Sequence, residues 1–261
     1  MLSSCFPYLL IKVRRTRSSN ISFQFISIAY TLHAYSFGLF HLSTGASPLT
    51  TRPPPSTATM PFDNRGRFRP GRQHLTFMLG GKRILYAYIR KNGCSSFKAA
   101  MGLDPEIRIG HIPRKYKIWP FGHYDARIFV WRDPEARLVS LFRNKILDRH
   151  NAEDLIARYR RIMREEPSTF EKFAVFASLN GDPHVVPQYR HLHPIRYSHA
   201  IELSQLHHAM ADLVGAEEAA IFRKPFNPSQ ATMVEVTPEA RRIIHHYYRQ
   251  DYAMVETLTR P

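Results

Sequence analysis

The sequence predicts an α/β fold: a three-layer domain on a central parallel sheet, with a helical C-terminal half. Three observations lead there. The β-prone run Ile84-Leu85-Tyr86-Ala87-Tyr88-Ile89 is followed by a small-residue turn and a helical stretch. The same order recurs at Ala126–Trp131, where Arg132-Asp133 ends the run and Pro134 suits the first turn of a helix. Beyond residue 150 the chain reads as successive helices. Two strand–turn–helix units imply parallel strands joined by helical crossovers, and hence helices on the faces of the sheet.

Along the chain, residues 1–59 stand apart. Lys12, Arg14, Arg15 and Arg17 precede a stretch without a charge from Ser18 to Thr51. Its most apolar part, residues 21–42, has the length of a membrane span. Ser22, Gln24, Ser27, Thr31, His33, Ser36 and His41 interrupt it, and each weakens the case for insertion. The segment is expected to be a leader outside the functional fold, with Met60 as the functional beginning. A weak anchor and another targeting extension are the alternatives. The corresponding location is cytoplasmic, or a single-pass membrane protein anchored by residues 21–42.

Residues 60–81 are expected to be an irregular lead-in, because Arg, Gly and Pro crowd residues 60–73. The main domain then covers 82–261. Lys91-Asn92-Gly93 closes the first strand, and Ser95 or Ser96 is expected to cap a helix ending at Gly102. After Pro134, Leu138, Leu141 and Phe142 give the second helix an apolar face. Further helices are expected over 151–164, 169–179 and 201–214. A last one starts at Thr237-Pro238-Glu239 and runs to about Leu258.

Composition narrows the function. At 261 residues and 44% hydrophobic content, the chain can bury a substantial core, which excludes a wholly disordered or collagen-like chain. Cys5 and Cys94 provide no disulfide framework, so a reducing compartment is the easier fit. The net charge is +16. Residues 1–59 hold five bases and no acid, leaving 32 bases against 21 acids in the rest. An excess of eleven positive charges favours an anionic partner without choosing among nucleic acid, lipid, nucleotide and acidic polysaccharide.

Lys91-Asn92-Gly93-Cys94-Ser95-Ser96-Phe97-Lys98 is the most informative octet. Gly93 permits a tight turn, the helix start offers amides, the serines offer hydroxyls and Lys91 a mobile charge. Together they suit a phosphate-like group. Neither GxxxxGK[ST] nor GxGxxG is present, so no motif supports an ATPase or a dinucleotide oxidoreductase. In Arg132-Asp133-Pro134-Glu135-Ala136-Arg137-Leu138-Val139-Ser140, a guanidinium and a hydroxyl flank one strand-to-helix junction. Asp133 would cap the helix or orient an arginine. Arg137 alone reads as a solvated or structural helix residue.

This pair of motifs resembles the 5′-phosphosulfate and 3′-phosphate signatures of sulfotransferases that use 3′-phosphoadenosine 5′-phosphosulfate (PAPS). The likeness is nearest to the membrane-associated carbohydrate branch, as a bacterial-type member. Asp182-Pro183-His184-Val185-Val186-Pro187-Gln188 resembles that branch's His-aromatic-x-Pro-Gln stretch, with Val185 in place of tryptophan. Pro194–Glu202, Phe226-Asn227-Pro228-Ser229 and Tyr248-Arg249-Gln250-Asp251-Tyr252 resemble later elements of the family, so the likeness spans about 82–254.

The resemblance implies a three-layer P-loop-like sulfotransferase fold. It also implies sulfuryl transfer from PAPS to a carbohydrate or glycolipid hydroxyl, without a metal. Lys91, Asn92, Gly93, Cys94, Ser95, Ser96, Arg132, Ser140 and Asn227 would bind the donor. His184 and Gln188 would contact the acceptor. Lys91 would stabilise charge on the leaving oxygen. The general base would be His184, His123 or His111, or an acid such as Glu106. The aromatic and basic stretch Arg108, Arg114, Lys115, Tyr116, Lys117, Trp119, Phe121 and Tyr124 suits a saccharide face, or is an ordinary flank around core aromatics. A basic nucleic-acid-binding protein and a P-loop-like kinase or NTPase are the alternatives. They lack, respectively, a recognisable nucleic-acid motif and a Walker lysine with a magnesium aspartate.

Overall fold

A computed structural model describes residues 59–117, 122–223 and 232–260. Five strands form one sheet: β1 (Thr59–Asp63), β2 (His74–Leu79), β3 (Lys82–Ala87), β4 (Ala126–Trp131) and β5 (Arg196–Glu202). Their order across the sheet is β1-β5-β4-β3-β2. The three central strands run parallel, Tyr86 opposite Ile128 and Phe129 opposite Ala200, while β1 and β2 pair antiparallel at the edges. The α/β prediction holds, with a parallel centre and antiparallel margins.

The strand pattern explains the layers. Side chains alternate across a strand, so Ile84, Tyr86 and Tyr88 enter one core with Ile128, Val130 and Ile201. That core is covered by α1 (Cys94–Ala100) and α5 (Leu206–Val214) through Phe97, Leu206 and Met210. Ala87, Ile89, Phe129 and Trp131 face the other way and meet Met254 and Leu258 of α7 (Arg249–Thr259). Burial on both faces is why β3 and β4 read as continuous apolar runs.

A third core joins α2 (Pro134–Phe142), α3 (Glu153–Met163), α4 (Phe170–Leu179) and α6 (Pro238–Tyr247) around Phe142, Tyr159, Phe173 and Phe176. Their starts are chemically set. Asp133 accepts from the Ala136 amide at 2.7 Å, Thr169 from Lys172 at 3.3 Å and Thr237 from Ala240 at 3.1 Å. Pro134 and Pro238 occupy first-turn positions whose amides need no partner.

Four expectations need correction. The lead-in 60–81 contains β1 and β2; β1 tolerates Pro61 because it is an edge strand with a register shift between Met60 and Phe62. Ile201 and Glu202 end β5, and the helix begins at Leu206, because β5 hydrogen-bonds to strands on both sides. The last helix is two helices divided at Tyr248. Helix α1 is capped by the Gly93 backbone at φ 75°, with no side-chain cap, which leaves Ser95 and Ser96 inside its first turn.

Among the described residues, no helix is long and apolar enough to cross a membrane; residues 21–42 lie outside them.

Candidate active site

The C-terminal ends of β3 and β4 open into a cleft of about 820 Å³, within the size range of small-molecule sites. At β3 the chain reverses sharply, with Lys91 at φ 68° and Gly93 at φ 75°. A Cβ at position 93 would meet only the mobile end of a side chain, Leu206 Cδ2 at 2.9 Å, so it is the left-handed backbone angle that favours glycine there. In the first turn of α1 the Ser96 and Phe97 amides donate to the Gly93 carbonyl at 3.0 and 3.4 Å, while the Cys94 and Ser95 amides have no carbonyl acceptor among the described residues. They face the cleft together with the Ser95 and Ser96 side chains.

At β4, Arg132 follows the strand and Ser140 lies within α2, and both line the same cleft. A π-helical turn over Arg143–Leu147 follows α2 and brings Asn144 and Lys145 to the cleft wall. Lys145 is held there by donating to the His150 and Asn151 carbonyls at 2.6 and 2.9 Å. Lys98 likewise donates to the Ile107 carbonyl at 3.1 Å and is buried, so it is braced rather than solvated.

The electrostatics are one-sided. Burial, with Lys145 and Arg132 nearby, pushes the Lys91 ammonium down to about 8. Burial also lowers Arg132, reinforced by Arg143 and Arg137. Neither cation has a side-chain hydrogen bond or ion pair among the described residues, and the Ser95, Ser96 and Ser140 hydroxyls are equally unengaged. Half-buried, unpaired cations beside free donors are the mark of a site completed by an anion. On that test the residues fit a ligand with two phosphate-type groups, one at Lys91 and α1, the other at Arg132 and Ser140.

Two predicted contact residues have another job. Asn92 and Gln188 are fully buried, and neither lines the cleft. The Gln188 side-chain oxygen accepts from Asn92 Nδ2 at 2.6 Å and the Arg132 amide at 3.1 Å, while its Nε2 donates to the Arg132 carbonyl at 2.8 Å. Gln188 therefore ties the Lys91 loop to the Arg132 loop. It is held in turn by Asp251, whose carboxylate accepts from the Gln188 and Tyr189 amides at 2.7 and 2.9 Å. Tyr248 donates to the Val185 carbonyl at 2.6 Å. Arg137, only 2% exposed, donates to the Arg90, His184 and Val186 carbonyls. It is structural, and not solvated.

Of the histidines considered as bases, only His184 borders the cleft. His123 is exposed at the opposite, N-terminal end of β4, and His111 is exposed in the short 3-10 turn Ile109–His111. Asn227, Trp119 and Phe121 lie outside the described residues. Tyr124 is buried beneath Arg83, whose guanidinium carbon lies 4.8 Å from the ring centre, so it is core rather than saccharide surface. Arg108 does line the cleft, as does Glu106, which pairs with His150 at 3.3 Å.

His184 Nδ1 lies 2.7 Å from Asp182 Oδ1, and its Nε2 faces Arg90 Nη1. Burial depresses the imidazole, Arg90 and Lys145 push the same way, and Asp182 opposes them. Neutral His184 thus donates Nδ1–H to Asp182 and keeps a lone pair on Nε2. Asp182 itself falls to about 2, because bonds from His184 and the charge of Arg158 outweigh its burial.

A family model described as the sulfotransferase family matches residues 74–255. The chain belongs to the sulfotransferase family. The match covers β2 to β5 together with the loops at Lys91–Lys98 and Arg132–Ser140. It makes the chain a transferase of sulfuryl groups by family, and it begins at β2, inside the stretch expected to be a lead-in. Neither the curated proteins nor the solved structures gave a match.

Sequence reasoning missed Arg90, Asn144 and Lys145 as cleft residues. Arg90 adjoins the first motif and carried the only available signal. The other two reach the cleft through a π-turn that no local pattern announces.

Proposed function

We propose that this sulfotransferase moves a sulfuryl group from PAPS to a hydroxyl of a carbohydrate or glycolipid. The observation that carries the reading is the pair of unpartnered, half-buried cations, Lys91 and Arg132, on two loops that meet at one cleft. Lys91, the α1 amides and Ser95 and Ser96 would hold the 5′-phosphosulfate; Arg132 and Ser140 would hold the 3′-phosphate. When bound, PAPS supplies a sulfur already activated for attack, with a phosphate oxygen as leaving group. Lys91 would stabilise the charge that collects on that oxygen. His184 Nε2 takes the acceptor's hydroxyl proton, and Asp182 fixes the ring and steadies the imidazolium.

The acceptor would approach along a polar groove of about 410 Å³ beside His184, lined by Arg90, Asp154, Arg158, Arg161 and Asp182. Closely spaced donors and acceptors of both signs suit a hydroxyl-rich sugar better than an apolar alcohol.

Calorimetric titration with adenosine 3′,5′-bisphosphate, ATP and duplex DNA tests the donor assignment. Selective binding of the bisphosphate, weakened ~10- to 100-fold by Arg132→Ala through loss of a charge-assisted contact, is the expected result. Preference for ATP or DNA overturns it. Labelled-sulfate transfer to a glycan panel then tests the acceptor class.

A further inference from the structure

Arg90 occupies an unusual position. It is the last residue before the Lys91 turn, it lines both the donor cleft and the neighbouring groove, and its Nη1 lies against the His184 ring within reach of both nitrogens, 2.5 Å from Nε2 and 3.2 Å from Nδ1. Its backbone carbonyl is fixed by Arg137 at 3.1 Å, so the side chain pivots from an anchored point. Only Nη1 is engaged, which leaves the rest of the guanidinium fork free toward the cleft.

We propose that Arg90 is a latch on His184: it holds its positive charge against the imidazole while the cleft holds no donor, and leaves it for the donor's anionic group on binding. The chemistry of the exchange favours this direction. An arginine bonded to phosphate or sulfate oxygens pairs opposite charges and can do so with two parallel bonds, which its contact with a neutral imidazole cannot match. The departing guanidinium is replaced near His184 by negative charge, so the imidazole becomes a stronger base at the moment a base is needed. Proton acceptance is thereby tied to donor occupancy, and the acceptor is engaged productively only second.

Other charges around His184 stay in place. Asp182 is bonded to Nδ1, and Arg158 of α3 lies 3.5 Å from the Asp182 carboxylate. Lys145, on the π-turn, is tied to two carbonyls, and Asp154 and Arg161 of α3 sit farther along the groove. The Arg90 tip touches His184 and, among the described residues, no carboxylate or carbonyl. Arg90 is a positioning residue, since its effect passes through His184.

The inference rests on His184 as the proton acceptor, and the test separates the two. The His184 titration midpoint is measured by NMR of 15N-histidine-labelled full chain, assigned with His184→Gln, with and without adenosine 3′,5′-bisphosphate. In the wild type the bisphosphate should raise His184 proton affinity tenfold or more. In Arg90→Gln the ligand-free affinity should already be raised, and the two proteins should converge once the ligand is bound. Arg90→Lys, which keeps the charge but not the fork, should fall between them; it serves as the variant should Arg90→Gln not fold. A wild-type midpoint that ignores the bisphosphate, or an Arg90→Gln midpoint equal to wild type without ligand, overturns the latch. Full turnover by His184→Gln removes the base assignment instead, whatever the midpoints do.

Discussion

Replacing Gln188 by leucine separates two roles that the sequence motif alone does not distinguish. If Gln188 contacts the acceptor, the change raises the acceptor KM and leaves the fold untouched. If it braces the two phosphate loops, the change strikes stability and donor binding together. The buried amide makes three hydrogen bonds, two to the Arg132 backbone and one to Asn92. Asn92 Nδ2 keeps its 2.8 Å bond to the Val130 carbonyl, so it is not left unpaired. The Arg132 amide and carbonyl are. Two buried groups at about 1–3 kcal/mol each give a loss of about 2–6 kcal/mol. Against a total stability of about 5–15 kcal/mol, that lowers the denaturation midpoint plainly. Urea denaturation and bisphosphate calorimetry on the same preparation read both effects. We expect a loss of at least ~2 kcal/mol, with donor affinity down ~10-fold because the loops no longer share a fixed spacing. A variant within ~0.5 kcal/mol of wild type, with unchanged donor affinity and a raised acceptor KM, would refute the bracing role.

Three further outcomes follow from the site and core. Lys91, held down to about 8, must be charged to grip an anion; at pH 8.5, bisphosphate binding should take up about 0.7–0.8 proton, and affinity should fall between pH 8 and 10.5. Calorimetry in two buffers of different ionisation enthalpy reads the uptake, and equal heats would count against the unpaired lysine. His74 is buried between the Arg72 carbonyl and the Tyr197 hydroxyl and is pushed down to about 3 by burial and His193, while burial also pushes His191 well down. Unfolded histidines take protons that these cannot, so stability should decline as pH drops below 6.5, by about 1.4 kcal/mol from His74 alone at pH 5.5. Asp251, raised to about 6 by burial, acts in the opposite sense: it gains protons on folding between pH 6 and 3.8, which offsets one histidine. Thermal melts from pH 7 to 5 should therefore show a shallow decline that His74→Gln flattens, and a wild-type Tm that does not move would contradict this balance. Finally, His184→Gln should lower kcat by ~10²–10⁴ while Glu106→Gln, which breaks only a half-exposed pair with His150, should cost far less; the reverse ranking would transfer the base role to Glu106.

The central fold was legible because β3 and β4 are buried on both faces and advertise it as unbroken Ile, Tyr, Phe and Val. Capping was legible for the same kind of local reason, since Asp133-Pro134 and Thr237-Pro238 carry their hydrogen bonds within three residues. The margins were not. β1 contains proline, and β5 alternates Tyr197 and Ala200 with Arg196, Ser198 and His199, so both depend on pairing partners more than 100 residues away in the case of β1 and about 70 in that of β4. The break at Tyr248 has no glycine or proline to announce it; its hydroxyl bond to Val185 is a tertiary contact.

The same distinction divides the candidate site. Lys91, Ser95, Ser96, Arg132 and Ser140 were legible as donors because two short loops each display a complete local chemistry. Asn92 and Gln188 belong to the same motifs yet face inward, because loops with unpaired like charges need a fixed separation that the ligand-free cleft cannot enforce. Repulsion between Lys91, Arg132 and Lys145 works to spread the walls. The Asn92–Gln188–Asp251 chain works against it, anchored in α7 and made of groups that end on backbone atoms. A carboxylate salt-bridged to Lys91 would quiet the repulsion more directly, but it would compete with the anion the cleft is built to take. Holding the two loops at a fixed spacing with neutral amides, with the fully buried Asp251 behind them, leaves both cations free for a ligand. Motif membership therefore mixes two kinds of residue, those that touch the anion and those that keep the touching residues in register.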